Sequence, residues 1–286
     1  MANTFRRSAL FTASLIASAA SGVVAVQTTS SPPYETVRYT NDGLRLEAYL
    51  YRPAGPGPFP LVIHRHSGTA PASRWGAVIA GLLTDAGYAV LVPERRGMGN
   101  SEGQRFTESG TDRDRIARLR AAFNTAEAGD VLAAIEQVAG DSASRIDVQR
   151  VAITGYSAGG SVAVLSAARS DRFAAVITQA PSSVSWTLEA PFRDAILSAA
   201  RRVRVPTLCM VAENDNTTDS ARSVCDAVKA GGAVASLVVY PPFTPREPSA
   251  NPSVAPGHTL FDREEGLSIW GKDLLAFLAK YIRPAP

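Results

Sequence analysis

One serine in the sequence has the neighbours that a nucleophilic serine needs. Ser157 is the central residue of the run GYSAG at positions 155–159, a G-x-S-x-G pattern. An apolar, strand-like run at 151–154 precedes it, and a helical pattern at 158–168 follows it. A serine on a tight strand-to-helix turn requires small neighbours and presents its hydroxyl at the end of the strand. The sequence therefore predicts a nucleophile at Ser157, with an ordinary serine in such a turn as the alternative.

The histidines offer one base that follows this serine in the chain. A serine hydroxyl is a weak nucleophile at neutral pH and requires an adjacent base. The chain has three histidines, and His64 and His66 both end an early strand-like run. His258 alone follows Ser157, in a turn-forming run at 255–259 before the last helical stretch. We predict that His258 is the base, with a surface or structural histidine as the alternative.

The acid that orients this base is expected where a parallel strand ends. The strand-like run 207–211 leads into Ala-Glu-Asn-Asp-Asn at 212–216. In open α/β sheets, ligands bind at the carboxyl ends of the strands. Asp215 is the first candidate, Glu213 the second and Asp219 the third. Loop solvation or helix capping is the alternative for each, and Asp219 is expected to cap the next helix.

The chain alternates short apolar runs with longer amphipathic ones from residue 34 onward. The runs 36–40 and 44–51 flank an Asn-Asp-Gly turn, which predicts an antiparallel hairpin. Apolar strands separated by helices are typical of a mostly parallel sheet covered on both faces. We expect strands at 61–64, 88–93, 151–154, 174–179, 207–211 and 237–240, and helices at 73–86, 126–139, 158–168, 219–230 and 267–282. The pattern predicts one α/β domain at 34–286.

These features together resemble the α/β-hydrolase superfamily, and within it the dienelactone hydrolase-like and prolyl-oligopeptidase-like serine hydrolases. The resemblance covers about residues 34–283 and rests on the chain order Ser157, Asp215, His258. The run PERRGMGNSEG at 93–103 resembles a D-x-R-G-x-G-x-S loop, with Glu94 in place of Asp. The run HRHSG at 64–68 stands at the place of an H-G-x-G loop, with Arg65 in place of Gly. The resemblance implies an α/β-hydrolase fold without a large cap domain.

The resemblance also implies an oxyanion hole built from two backbone amides. One is the amide of Ala158, after the nucleophile. The other comes from the loop after the third strand, with His66 expected and Arg65 or Ser67 as alternatives. The implied reaction is acyl transfer, without a metal or organic cofactor.

Substrate contacts are expected from side chains near these residues. We expect Arg65, with His66, to line the mouth of the site, or Arg65 to pair with a carboxylate such as Glu94. Tyr156 is a further expected substrate contact. Trp186 and Phe192 either line an acyl or alcohol pocket or pack as a helical cover. The polar stretch 105–124 is expected to be a solvated helix rather than a recognition element for a charged substrate.

The first 25 residues have the layout of a secretory signal peptide. Arg6 and Arg7 precede a run of Ala, Ser, Leu, Ile and Val at 9–26, with small residues at 20, 22 and 25. A basic start, an apolar stretch and a small-residue exit are typical of such signals. We expect a signal peptide at 1–25, a linker at 26–33 and a secreted or periplasmic protein. A core helix and an uncleaved membrane anchor are the alternatives.

The net charge bears on the class of partner, and the two cysteines bear on whether a disulfide forms. The formal net charge is +3, and Arg6 and Arg7 supply two of those charges. Because the remaining charge is nearly balanced and dispersed, we expect neither a nucleic-acid partner nor binding to an anionic membrane, and no stable membrane insertion after the signal peptide is cleaved. Cys209 and Cys225 lie in a strand-like run and in the helix that follows it, and are expected as buried free thiols or, in an oxidising compartment, as a disulfide.

The expected function is that of a serine hydrolase that cleaves a small or medium carboxylic ester through an acyl-enzyme on Ser157. Because no large cap is expected, the site should be fairly open. An exopeptidase or amidase of the same fold is the first alternative. A non-catalytic binding protein that retains the fold is the second. The residues do not indicate an oligomeric state.

Overall fold

A single eight-stranded sheet organises the protein. The structure, a computed structural model, describes residues 33–68 and 72–284. The strand order is β1-β2-β4-β3-β5-β6-β7-β8. The strands are β1 (Tyr34–Asn41), β2 (Leu44–Tyr51), β3 (Phe59–Arg65), β4 (Ala89–Pro93), β5 (Ile146–Tyr156), β6 (Phe173–Gln179), β7 (Thr207–Ala212) and β8 (Ala235–Tyr240).

Seven α-helices occur in the described part of the chain. They are α1 (Ala72–Asp85), α2 (Arg113–Gly140), α3 (Ala158–Ala167), α4 (Ser183–Trp186), α5 (Ala190–Ala200), α6 (Asp219–Ala230) and α7 (Leu267–Tyr281). Short 3₁₀ turns span Ser142–Ser144, Pro256–Phe261 and Glu264–Gly266. None of the described helices is long and apolar enough to cross a membrane.

The strand pairing confirms the predicted mostly parallel sheet with an antiparallel hairpin at its N-terminal end. Strand β1 pairs antiparallel with β2, and β2 pairs antiparallel with β4. The remaining neighbours from β4 to β8 are parallel. At the hairpin turn, Asp42 and Gly43 both have positive φ, 48° and 75°. Two such residues produce the turn whose twist matches that of the flanking strands.

Helices cover both faces of the sheet, so the core forms two layers, one on each side of the sheet. Helices α2, α3, α5 and α6 bury their apolar residues on one face. Helices α1 and α7 bury theirs on the other face. Because both faces are covered, the central strands are mostly apolar, and every residue of β3 is buried, including His64 and Arg65. Because strands β3 to β7 run parallel, they all end at the same edge of the sheet, and the candidate site lies at that edge.

Helix α2 begins much earlier than its sequence pattern predicts. The predicted helix starts at residue 126, whereas α2 begins at Arg113 and includes most of the polar stretch 105–124. The Asp112 side chain caps the helix by accepting a hydrogen bond from the amide of Arg115 at 2.9 Å. A cap of this kind stabilises the first turn of a helix, so α2 can begin in a polar stretch whose sequence shows no apolar periodicity.

Residues 1–25 lie outside the described part of the chain, so the signal peptide, the linker up to residue 32 and the secreted or periplasmic location stay predictions.

Cys209 and Cys225 are buried free thiols. A hydrogen bond between the two thiols raises the pKa of Cys209 and lowers that of Cys225.

Candidate active site

Ser157 lies on the sharp turn between β5 and α3 that its sequence context predicts. Its backbone has φ 56° and ψ −121°, a conformation that a non-glycine residue adopts only when its surroundings impose it. The Ser157 amide donates to the carbonyl of Gln179 at 2.9 Å, which ties the turn to the end of β6. The strained backbone is therefore held in place by the neighbouring strand.

Two glycines give this turn the space it requires. A Cβ atom on Gly155 would lie 2.2 Å from the carbonyl oxygen of Gly159. A Cβ atom on Gly159 would lie 2.1 Å from the carbonyl oxygen of Arg65. Both distances are far below van der Waals contact, so each position accepts only glycine without backbone movement.

His258 is placed to take the proton of Ser157. It lies in the 3₁₀ turn Pro256–Phe261, with 3% of its surface exposed. Its Nε2 atom is 3.0 Å from the Oγ atom of Ser157. Its Nδ1 atom is 3.0 Å from the Oδ1 atom of Asp215. The structure thus brings together, from three separate segments, the serine, the histidine and the first of the three predicted acids.

Asp215, rather than Glu213 or Asp219, contacts the histidine. Its side chain is buried, and its Oδ1 atom also accepts a hydrogen bond from the amide of Asn216 at 2.6 Å. Glu213 and Asp219 are exposed, and Asp219 is the first residue of α6. Asp219 makes no capping bond, because the residue at the capping position is Thr218.

Ser183 is a fourth polar residue in this arrangement and was missed by sequence reasoning. Its hydroxyl donates to Oδ1 of Asp215 at 2.6 Å and lies 2.9 Å from Nδ1 of His258. It follows β6, a strand that ends at the same edge as β5 and β7. The rule that located Asp215, a polar residue just past a parallel strand, would also have located Ser183.

The amide of Ala158 is available to a developing negative charge beside Ser157. Ala158 is the first residue of α3, and the first amides of a helix have no intrahelical acceptor. The loop after β3 packs against this helix, since a Cβ atom on Gly68 would lie 3.7 Å from the Cβ atom of Ala158. Ser67 and Gly68 line the cavity in front of Ser157.

The side chain of His66 points into the interior rather than to the mouth of the site. Its Nε2 atom is 3.2 Å from Oε1 of Glu94, and neither side chain is exposed. Burial lowers the pKa of His66 to about 4 and that of His64 to about 3, so both imidazoles are neutral at pH 7. Burial alone would raise the pKa of Glu94, but hydrogen bonds from His66 and from two backbone amides lower it.

The expectation that Arg65 lines the mouth of the site is wrong. Arg65 is fully buried and donates to the carbonyl of Pro93 at 2.6 Å and to Glu127 at 3.2 Å. The carboxylate partner is thus Glu127 of α2, not Glu94, because Glu94 already accepts from the amides of Ala72 and Arg95. A buried guanidinium requires such a partner, which keeps the Arg65 side chain away from the cavity.

The cavity in front of Ser157 has a volume of about 650 Å³. Tyr156 lines it, and its ring centroid is 5.0 Å from that of the His258 imidazole. The expectation that Trp186 lines a substrate pocket is wrong, since Trp186 is 2% exposed and packs in the core beside α5. Phe192 is also fully buried there. Both aromatic residues therefore belong to the helical cover.

The stretch 105–124, expected to be a solvated helix, forms one wall of this cavity. Arg105, Phe106, Arg120, Phe123 and Asn124 all line it. Arg120 donates through Nε to Glu189 at 2.7 Å, and its guanidinium lies 4.6 Å from the ring centroid of Phe106. The wall thus combines aromatic surface with cationic groups.

The polar residues of the site form no metal-binding cluster in the described ranges. No group of three or more His, Cys, Asp or Glu side chains there has a metal-ligating arrangement.

The fold and the serine–histidine–aspartate arrangement define the protein as a member of the α/β-hydrolase class. The model of the dienelactone hydrolase family matches residues 46–253. The chain belongs to the dienelactone hydrolase family.

Individual proteins are similar to this chain at low sequence identity. The chain is 30% identical over 145 residues to the quorum-quenching protein AidA of Acinetobacter baumannii, a match that covers 51% of this chain and 43% of that protein. It is similar in structure to an acylaminoacyl peptidase of Pyrococcus horikoshii, with a TM-score of 0.66 and 16% identity over 90% of this chain and 43% of that one.

A putative dienelactone hydrolase from Klebsiella pneumoniae is similar over nearly its whole length. The TM-score is 0.63 at 20% identity, and the match covers 87% of this chain and 99% of that one. At such identities the two structural matches show the shared fold alone. The chain spans less than half the length of AidA and of the peptidase that it matches.

Proposed function

We propose that this protein is a serine hydrolase that cleaves a small or medium carboxylic ester through an acyl-enzyme on Ser157. The observation that carries the proposal is the continuous set of contacts from Ser157 Oγ to His258 Nε2 and from His258 Nδ1 to Asp215 Oδ1, each 3.0 Å long. A base in hydrogen-bond reach of a serine, and oriented by a buried carboxylate, is the arrangement that activates a hydroxyl for acyl transfer.

The proposed reaction has two steps at the same serine. Ser157 Oγ attacks the ester carbonyl while His258 Nε2 takes its proton, and the tetrahedral intermediate then expels the alcohol, which receives that proton. Water next attacks the acyl-enzyme with His258 again as base, and the acid product leaves as the proton returns to Ser157. Asp215 keeps the Nδ1 proton of His258 in place and stabilises the imidazolium that forms in each step.

Backbone amides supply the stabilisation of the oxyanion in this proposal. The amide of Ala158 is one donor. The second comes from the loop after β3, from His66 as first expected or from Ser67, which lines the cavity. Removal of one oxyanion donor typically costs about 3 kcal/mol of transition-state stabilisation.

The size and lining of the cavity support an ester substrate of modest size. A volume of about 650 Å³ lies in the range of sites for small molecules. Only α4 and α5 lie between β6 and β7, so these two short helices take the place of a cap. The cavity therefore admits ligands directly from solvent.

The test is active-site labelling combined with ester turnover. Purified protein is treated with a fluorophosphonate probe and assayed with p-nitrophenyl esters of increasing acyl length, beside matched anilides. We expect the wild type to be labelled, to cleave the short and medium esters and to leave the anilides largely intact. Ser157→Ala should abolish both labelling and turnover.

A matched control separates loss of the nucleophile from loss of folding. Ser144 is a buried serine in the 3₁₀ turn before β5, at the opposite end of that strand from Ser157, and its hydroxyl donates to the carbonyl of Val138 at 2.9 Å. Ser144→Ala should therefore keep labelling and turnover. A wild type that is neither labelled nor active on any ester would overturn the proposal. Preferential cleavage of the anilides would replace the esterase by an amidase of the same fold.

A further inference from the structure

The hydroxyl of Ser183 lies between the two residues that are proposed to activate Ser157. Its Oγ atom is 2.6 Å from Oδ1 of Asp215 and 2.9 Å from Nδ1 of His258. Ser183 is 1% exposed, so bulk water does not compete for either contact. Three polar groups therefore meet at one point on the side of the imidazole that faces away from the nucleophile.

The direction of each hydrogen bond follows from the proposed reaction. Nε2 of His258 must be unprotonated to accept the Ser157 proton, so Nδ1 carries the hydrogen of the neutral imidazole. Ionised Asp215 only accepts, so the Ser183 hydroxyl donates to it. The Nδ1 hydrogen then has two acceptors, Oδ1 of Asp215 at 3.0 Å and Oγ of Ser183 at 2.9 Å. Ser183 thus donates to the acid and accepts from the base.

The carboxylate of Asp215 is held mainly through a single oxygen. Oδ1 accepts from Ser183, from the amide of Asn216 and from His258. Oδ2 is buried and makes no hydrogen bond with a described residue. The orientation of the carboxylate therefore depends on the groups that meet at Oδ1, and Ser183 is the only side chain among the described residues, apart from His258, that donates to it.

The turn that carries Ser183 also holds the nucleophile. Ala180 and Ser182 have positive φ, 49° and 47°, although neither is glycine. The Ser182 amide donates to the carbonyl of Ser157 at 3.0 Å, and its hydroxyl lies 2.8 Å from that of Ser161 in α3. Such backbone strain persists only where the surroundings impose it. One short turn after β6 thus contacts the serine on one side and the acid–base pair on the other.

We propose that Ser183 is a positioning residue of this site, whose hydroxyl fixes the Asp215 carboxylate and the His258 imidazole in the orientation that accepts the Ser157 proton. The proposal rests on the proposed function, since it assigns a role within the same reaction. Ser183 does not line the cavity in front of Ser157. Its loss should lower kcat and leave KM nearly unchanged, because substrate contacts are made elsewhere in the cavity.

The test compares Ser183→Ala and Ser183→Thr with the wild type and with Ser144→Ala. Steady-state kinetics on the best p-nitrophenyl ester give kcat and KM. Proton NMR of the resting protein gives the low-field Nδ1 proton of His258, which is assigned by its disappearance in His258→Gln. The resonance needs no turnover, so it is read even from a protein that hydrolyses none of the esters.

We expect Ser183→Ala to lower kcat roughly 10- to 100-fold, the effect of losing one hydrogen bond to a charged group. Its Nδ1 proton should move upfield and exchange faster with water. Ser183→Thr keeps the hydroxyl and should restore the resonance and most of kcat, whereas Ser144→Ala should match the wild type in both.

Two results would overturn the positioning role. One is an Nδ1 proton in Ser183→Ala with the position and exchange rate of the wild type. The other is a loss of kcat in Ser183→Ala that Ser144→Ala reproduces. Failure of the proposed function has a different signature: the wild type is then not labelled by the fluorophosphonate, while the NMR comparison still decides whether Ser183 positions His258.

Discussion

Arg65 and Glu127 form an ion pair from which water is excluded: the Nη2 and Oε1 atoms are 3.2 Å apart, and neither side chain is exposed. Arg95 donates to the other carboxylate oxygen of Glu127 at 2.5 Å. The carboxylate of Glu127 therefore holds both Arg65, at the end of β3, and Arg95, just after β4. Because the carbonyl of Arg65 packs against Gly159, this pair also fixes the loop beside the nucleophile.

Glu127→Gln should strongly destabilise the protein. The substitution keeps the shape of the side chain but leaves two buried guanidinium groups without a carboxylate. Breaking a buried ion pair by removing one partner costs about 3–5 kcal/mol. The measurement is the free energy of unfolding in urea at pH 7, for the variant and the wild type.

An exposed pair provides the comparison for this variant. Glu136 of α2 pairs with Arg172 at 2.6 Å, but its side chain is 58% exposed. Such surface pairs contribute up to about 1 kcal/mol, so Glu136→Gln should change the unfolding free energy by no more than that. Equal effects of the two substitutions would contradict the importance of the buried pair.

Gly159→Ala should disrupt the turn around the nucleophile. The new Cβ atom would lie 2.1 Å from the carbonyl oxygen of Arg65, and a backbone carbonyl of a buried strand cannot move aside easily. We expect a lower melting temperature and loss of fluorophosphonate labelling. In Gly81→Ala of α1, nothing lies within 4 Å of the new atom. That control should stabilise the protein by up to about 1 kcal/mol through helix propensity and should keep labelling.

The sequence predicts the parts of this protein that follow from local patterns. The fold follows from apolar runs at regular spacing. The serine turn at Ser157 follows from its glycines, and Asp215 follows from the rule that polar residues of a site lie where parallel strands end. His258 follows from being the one histidine after Ser157 in the sequence. These features are therefore visible without the structure.

The errors concern side chains whose direction depends on distant partners. Arg65 ends β3 beside the site, but Glu127, from a helix whose start has no apolar periodicity, draws its guanidinium into the interior. Trp186 follows β6 closely, yet the packing of α5 places it in the core. The sheet-edge rule could have located Ser183 as a polar residue after β6, but its contacts with both Asp215 and His258 are visible only in the structure.

Asp215→Asn should reduce kcat by a factor of about 10⁴, the usual effect of losing the negative charge and the correct histidine tautomer in such a triad. KM should change little, because Asp215 lies behind the imidazole and not in the cavity. The matched control is Glu213→Gln in the same loop, whose carboxylate is exposed. It should keep the kcat of the wild type. Equal losses in both variants would contradict the assignment of the acid to Asp215.

His64 should make the stability of the fold depend on pH in the acidic range. Burial lowers its pKa to about 3, whereas in the unfolded chain the value is about 6.5. Below pH 6.5 the unfolded state therefore binds a proton that the folded state does not. The free energy of unfolding consequently decreases as the pH is lowered, down to about pH 3.

Between pH 7 and pH 5 this histidine should cost the wild type about 2 kcal/mol of unfolding free energy, since each pH unit below 6.5 contributes about 1.4 kcal/mol. Urea unfolding of the wild type and of His64→Gln at both pH values tests this directly. The variant lacks the titrating group, so its loss between the two pH values should be smaller by that amount, whatever its stability at pH 7. Parallel losses in the two proteins would mean that His64 is protonated in the folded state at pH 5, and hence that its burial does not exclude the proton.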